Sequence, residues 1–221
     1  TEKVIKYRPF LVKEEKLLFT AQESGEEAVL PAVKQIIKNC VQGELDVDNM
    51  PLFDIEFLFL RLRAKSVGEE VTLGLKPWGC PQNNGELCEF TTEVSINLEE
   101  IKCVKDKKHT SKIMLDDNIG IMMKYPDISQ MNIKGSENEM GMKVIKNCIN
   151  MIFTKEETHE KDSFTDKDLD EFVDSLNTKQ MDKIKNFFET MPTLKHTVKY
   201  NCKTCGEEKE TTVQGLNSFF G

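Results

Sequence analysis

The sequence predicts an α+β protein, because apolar residues recur at helical spacing in some blocks and alternate one by one in others. Helical blocks occupy residues 13–66 and resume after residue 140, and each set is followed by alternating runs that flank a pair of cysteines. This order predicts two similar halves, each of helices plus a cysteine-bearing β-hairpin, bridged by a zinc-ribbon-like site. The expected divisions are an N-terminal half at 1–104, a connecting segment at 105–140 and a C-terminal half at 141–221.

Residues 4–12, VIKYRPFLV, read as a short strand stopped by charge. A helix over Lys13–Ser24 carries Leu17, Leu18 and Ala21 on one face, with Gly25 as its stop. Pro31 is expected to open the next helix, where Val33, Ile36, Ile37 and Cys40 share a face before Gly43 ends it. A third helix, Pro51–Ser66, contains FDIEFLFLRLR, which is apolar on too many sides for a surface helix and so belongs in a core. Val71, Leu73 and Leu75 alternate, residues 77–85 turn, and Phe90–Leu98 alternate again. A strand pair is expected between Glu100–Val104 and Ser111–Leu115, and an apolar stretch at 118–127 breaks at Pro126.

Residues 140–153, MGMKVIKNCINMIF, read as one apolar helix, and Thr154–Lys161 as a charged loop. Thr165 and Asp168 form a capping-box pattern ahead of Leu169, Phe172, Val173 and Leu176. A last helix near Lys179–Thr190 carries Met181, Ile184, Phe187 and Phe188. The final hairpin runs from HTVKYN through Cys202-Lys203-Thr204-Cys205-Gly206 to ETTVQG. IIKNCV (36–41) matches VIKNCI (144–149), which is what an internal duplication would leave; chance likeness between short apolar helices is the plain alternative.

A formal net charge of -8 over 221 residues argues against a general nucleic-acid binder, since phosphate neutralisation needs clustered Lys and Arg. No run approaches the ~18 apolar residues of a membrane span. Seven cysteines, an odd number without a secretory leader, fit a reducing cytosol better than a disulfide framework.

Two thiolates on a tight turn followed by glycine make half of a structural zinc site. Cys202 and Cys205 supply that half, and Cys80 and Cys88, flanking a turn rich in Pro, Gly and Asn, are the candidates for the other. His109 and His196 are reserve ligands. The competing readings are four reduced cysteines on separate hairpins, a redox pair, and a nucleic-acid-binding zinc ribbon. A redox pair wants a helix N-terminus to lower its thiol pKa, and this motif lies in a hairpin. Cys40 and Cys148 read as small hydrophobes on apolar helical faces, and Cys103 as a structural residue alternating with Ile101 on a strand. There is no GxSxG, phosphate loop or HExxH, and no EF-hand pattern in the acidic segments, so no catalytic residue is assigned. Phe219 and Phe220, in the segment GLNSFFG, either pack back onto the domain or form a docking tail.

Three segments, KYRPFLVKEEKLLFTAQES with AVKQIIKNC and FDIEFLFLRLRAKSVGE behind it, resemble the baseplate hub family of T-even-like contractile-tailed bacteriophages. YNCKTCGEEKETTVQGLNSFF resembles that family's closing hairpin. The resemblance implies a non-enzymatic hub subunit or chaperone-like assembly factor. Its partners would be other baseplate hub or tail proteins, with no nucleic acid, membrane or small-molecule substrate. Its place would be the host cytoplasm during assembly or the virion baseplate. Arg8, Pro9 and Phe10 are the expected partner-binding signature, beside a charged Lys13–Lys16 run whose plain alternative is ion pairing on a helix surface. A zinc-ribbon adaptor for nucleic acid or transcription machinery is the rival, and an enzyme with an unrecognised site the second.

Overall fold

The computed structural model describes residues 4–132 and 135–219. Its helices are α1 (Val12–Ser24), α2 (Glu26–Cys40), α3 (Leu52–Ser66), α4 (Glu137–Cys148), α5 (Asp166–Asp174) and α6 (Thr178–Thr190). The strands are β1 (Glu70–Leu75), β2 (Thr92–Asn97), β3 (Lys102–Val104), β4 (Lys112–Met114), β5 (Gly120–Met123), β6 (Ile149–Phe153), β7 (Thr158–Glu160), β8 (Thr193–Asn201) and β9 (Glu208–Gln214). All strand pairs are antiparallel, in sheets ordered β1-β2, β3-β8-β9 and β4-β5-β6-β7, so the protein is α+β.

The chain forms two compact units whose boundaries differ from a division into halves in series. One comprises residues 1–47, 53–104 and 193–221, the other 48–52 and 105–192. The reason is β3: instead of pairing with residues 111–115, it pairs with β8 through Lys102↔Lys195, Cys103↔Leu194 and Val104↔Thr193. That ladder draws the closing hairpin back to the first unit. Both cysteine hairpins therefore belong to the same unit, and the second unit has neither.

In the first unit, Gly25 ends α1 and begins α2 at φ 109, a conformation costly for any residue with a Cβ. The helix thus starts at Glu26, and Pro31 lies inside it rather than opening it. Val33, Ile36, Ile37 and Cys40 are buried along one face, as their spacing predicts. Around α3, Phe53, Ile55, Leu58, Phe59, Leu60, Leu62 and Ala64 are all buried, which explains its all-round apolar sequence. Residues 4–12 form no strand beyond a single bridge between Tyr7 and Val41.

The second unit has one apolar core built from Ile113, Leu115, Ile121, Met123, Ile145, Cys148, Ile149, Ile152, Leu169, Val173, Ile184 and Phe187. Residues 140–153 are not one helix: α4 stops at Cys148 and INMIF continues as β6, paired to β5. Its β-branched and aromatic side chains suit a ladder better than a helix. The charged loop contains β7, paired to β6. Thr165 caps α5 as expected, its hydroxyl accepting the Asp168 N–H at 3.2 Å while the Asp168 carboxylate accepts the Thr165 N–H at 2.8 Å.

Candidate metal centre

Two turns bring the cysteines together. In the loop between β1 and β2, the Cys88 N–H donates to the Pro77 carbonyl at 2.9 Å and the Cys80 N–H to the Glu86 carbonyl at 3.1 Å. The intervening residues fold back on themselves: Asn83 and Gly85 both donate to the Cys80 carbonyl, at 2.9 and 3.0 Å. This reversal requires left-handed backbone at Asn84 (φ 51) and Gly85 (φ 78), which Asn and Gly tolerate best. A spacing of seven intervening residues thereby presents Cys80 and Cys88 at the neck of one loop. At the tip of the β8–β9 hairpin, the Gly206 N–H donates to the Cys202 carbonyl at 2.8 Å and the Cys202 N–H to the Glu207 carbonyl at 2.9 Å.

The two necks meet. Cys80, Cys202 and Cys205 place their sulfur atoms within 4.8 Å of one another. Cys88 stands beside them and outside that mutual distance, with its Sγ 3.7 Å from that of Cys202 and 3.1 Å from the Thr204 hydroxyl. Cys80, Cys88 and Cys202 are 0%, 1% and 2% exposed and Cys205 is half-buried, so this is an interior cluster and not a surface coincidence. None of the four is in a disulfide. The contact is buttressed by groups that carry no sequence signal of their own. The Lys203 N–H donates to the Thr92 hydroxyl at 3.0 Å, and the Lys209 ammonium spans the Gly79 carbonyl and the Glu207 carboxylate, each at 2.9 Å.

The Cys202 thiol is drawn down to about 6, chiefly by the backbone N–H of Cys205, with burial opposing and the Thr204 N–H assisting. Amides aimed at a sulfur stabilise its thiolate, which is the form that binds metal. Three thiols this close are soft donors that could hold a metal ion.

The reserve ligands do not join. His109 lies in the second unit, buried, with Nδ1 2.9 Å from the Thr190 hydroxyl, Nε2 3.0 Å from the Tyr125 hydroxyl and its ring 5.0 Å from that of Phe187. His196 sits on β8 opposite Val213, and among the described residues it is not part of the converging group.

Of the expected partner-binding residues, several make contacts within the first unit. Arg8 donates to the Glu14 carboxylate and to the Asn39 carbonyl, both at 3.1 Å. Glu14, itself 1% exposed, also accepts the Leu11 N–H at 2.8 Å at the start of α1. Burial alone would raise the Glu14 carboxyl, but the Leu11 amide and Arg8 hold it below its ordinary value. Phe10 is buried; Pro9 alone of that trio is exposed. Phe219 is fully buried in a short 3-10 turn, Leu216–Phe219, tied to α3 by the Leu216 N–H on Glu56 at 3.2 Å. It therefore packs back and does not form a tail; Phe220 lies outside the described residues.

For catalysis the second unit offers an open groove of about 420 Å³ lined by Lys112, Met114, Asp182 and Lys183 among others. The Lys183 ammonium is already bonded to the carbonyls of Met114 and Leu115, at 2.8 and 2.9 Å. Among the described residues no helix is long and apolar enough to cross a membrane.

A family model described as T4 bacteriophage base plate protein matches residues 1–221. No curated protein and no solved structure matches the chain.

Proposed function

The chain belongs to the T4 bacteriophage base plate protein family, and from that premise we propose that it works at the baseplate hub, as a subunit or assembly factor that binds other hub proteins without catalysis. Its general role is that of a structural protein of the phage tail baseplate, with other tail proteins as its partners. The observation that carries the hub reading is the block KYRPFLVKEEKLLFTAQES at the head of a full-length family match. As part of the same proposal, the metal held by the thiol cluster is zinc and its work is structural.

Several features support binding over chemistry. Two buried or half-buried ionisable pairings, Arg8 with Glu14 and His109 with Tyr125, are occupied in holding the fold. Trp78 and Phe90, in the loop that carries Cys80 and Cys88, are 73% and 61% exposed, the aromatic type enriched at protein interfaces. A nucleic-acid adaptor is less well supported, because two lysines near the hairpin tip are matched by carboxylates: Lys199 by Glu210 at 3.5 Å and Lys209 by Glu207 at 2.9 Å.

The test is fractionation of infected cells followed by mass spectrometry of hub intermediates and of mature tails. Presence in hub complexes and in finished baseplates identifies a resident subunit. Presence in the intermediates alone identifies an assembly factor of the host cytoplasm. A chain recovered only outside hub complexes would overturn the hub reading. Elemental analysis of reduced protein should find about one zinc per chain.

A further inference from the structure

We infer that Cys88 is the fourth ligand of the metal and that the site is a closed tetrathiolate, with one pair of sulfurs from each hairpin. The inference rests on the reading of the thiol cluster as a zinc site and specifies its ligand set. A tetrahedral ion with metal–sulfur bonds of about 2.3 Å has sulfur–sulfur edges of about 3.8 Å. The Cys88–Cys202 separation of 3.7 Å already has the length of such an edge. The other three sulfurs lie within 4.8 Å of one another, a group that does not include Cys88. Closing the tetrahedron therefore takes an inward movement of the Cys88 side chain about its contact with Cys202.

Alternative fourth ligands are poorly placed. No histidine or carboxylate joins the three converging cysteines among the described residues. The Thr204 hydroxyl lies 3.1 Å from Cys88 Sγ and is a hard donor beside a soft one. A water ligand would want an open face; Cys80, Cys88 and Cys202 are almost wholly buried, and only the half-buried Cys205 lies nearer solvent. Four thiolates around a divalent cation leave net negative charge, which the site is built to absorb. The amides of Cys205 and Thr204 bond the Cys202 sulfur, and the Lys209 ammonium is fixed on the carbonyl of Gly79, next to Cys80. A site closed by four protein sulfurs has no position for substrate, so its ion joins the hairpins and performs no chemistry.

The experiment uses the full chain loaded with cobalt as a spectroscopic stand-in for zinc, and X-ray absorption of the zinc form. The expected result for the zinc protein is four sulfur neighbours at about 2.3 Å. Cys88→Ser should lose about a quarter of the thiolate-to-cobalt charge-transfer intensity, which scales with the number of sulfur ligands. It should also weaken cobalt binding by more than the ~10–100-fold that loss of an outer-shell partner costs. His196→Ala should match the wild type in both. Three sulfurs and one lighter neighbour in the wild type, or an unaltered spectrum in Cys88→Ser, would overturn the assignment of Cys88 while leaving a metal site standing. Wild-type protein that binds neither ion would instead overturn the underlying zinc reading. The X-ray measurement needs no variant, so a Cys88→Ser chain that fails to fold does not spare the proposal.

Discussion

The two units solve the same problem with different materials. The second fills its interior with a single apolar cluster in which Phe187, Ile121, Ile149 and Ile184 are almost completely buried. The first has a comparable helical interior around α3, but where its two hairpins meet the buried side chains are Cys80, Cys88 and Cys202. Thiols bury less apolar area than leucine or isoleucine, so this end of the unit gains little from the hydrophobic effect. The difference teaches that burial alone does not reveal what holds a region together. One unit is filled by packed apolar side chains, and one end of the other by thiols that could hold a metal ion.

Removing metal should break that symmetry most strongly. A chelator, or Cys202→Ser, is expected to loosen β8, β9 and the loop between β1 and β2 while amide protection in α4, α5 and α6 survives. The energy at stake is bounded by the ~10–16 kcal/mol of structural zinc sites. Equal loss of protection in both units would remove the contrast. The converse variant, Phe187→Ala, should cost the second unit about 3–5 kcal/mol by opening a cavity, with metal content unchanged.

Smaller effects sharpen the picture. Glu14→Gln should destabilise the first unit by about 1–3 kcal/mol, because it weakens the bonds to Leu11 and Arg8. Since the Glu14 carboxyl is held low in the folded state, its contribution is present above the ordinary carboxylate range and is lost as pH falls through the folded value. Urea titrations of wild type and variant should therefore converge in acid. In the second unit, burial, with Lys105 nearby, pushes the His109 imidazole below its ordinary value of 6.5. The unfolded chain takes up that proton first as pH falls, so this unit should lose stability below about pH 6.5. His109→Gln should flatten the slope over that window; an unchanged slope would show that another group titrates there.

Much of this was legible in the sequence, for identifiable reasons. The faces of α2, α3, α5 and α6 follow from apolar spacing, and the Thr165 cap from its Asp168 partner. The convergence of Cys80, Cys202 and Cys205 is foreshadowed by the CxxC at the hairpin tip and a second cysteine pair around a turn. What failed did so where local pattern cannot see partners. The run MGMKVIKNCINMIF is uniformly apolar, and only the presence of β5 decides that its last part is a strand. Glu100–Val104 reads as ready to pair with its nearest neighbour in sequence, yet its partner, β8, begins 89 positions beyond Val104. Arg8 reads as an interaction or folding signature, and nothing in its sequence surroundings announces that Glu14 and the end of α2 receive it. Phe219 was ambiguous for the same reason.

The pairing of β3 with β8 also imposes an order of events on synthesis. Because Val104 and Thr193 are cross-strand partners, residues 105–192 leave and return at one point of the first unit. A chain emerging from a ribosome exposes everything the second unit requires before β8 and β9 exist. Cys88 must wait 114 residues for Cys202. During that interval the nascent chain carries an unfinished sheet edge at β3 and an unclosed thiol pair. Translation itself thus sets a clock, in which the inserted unit can mature first and the enclosing one is sealed only when its last hairpin arrives.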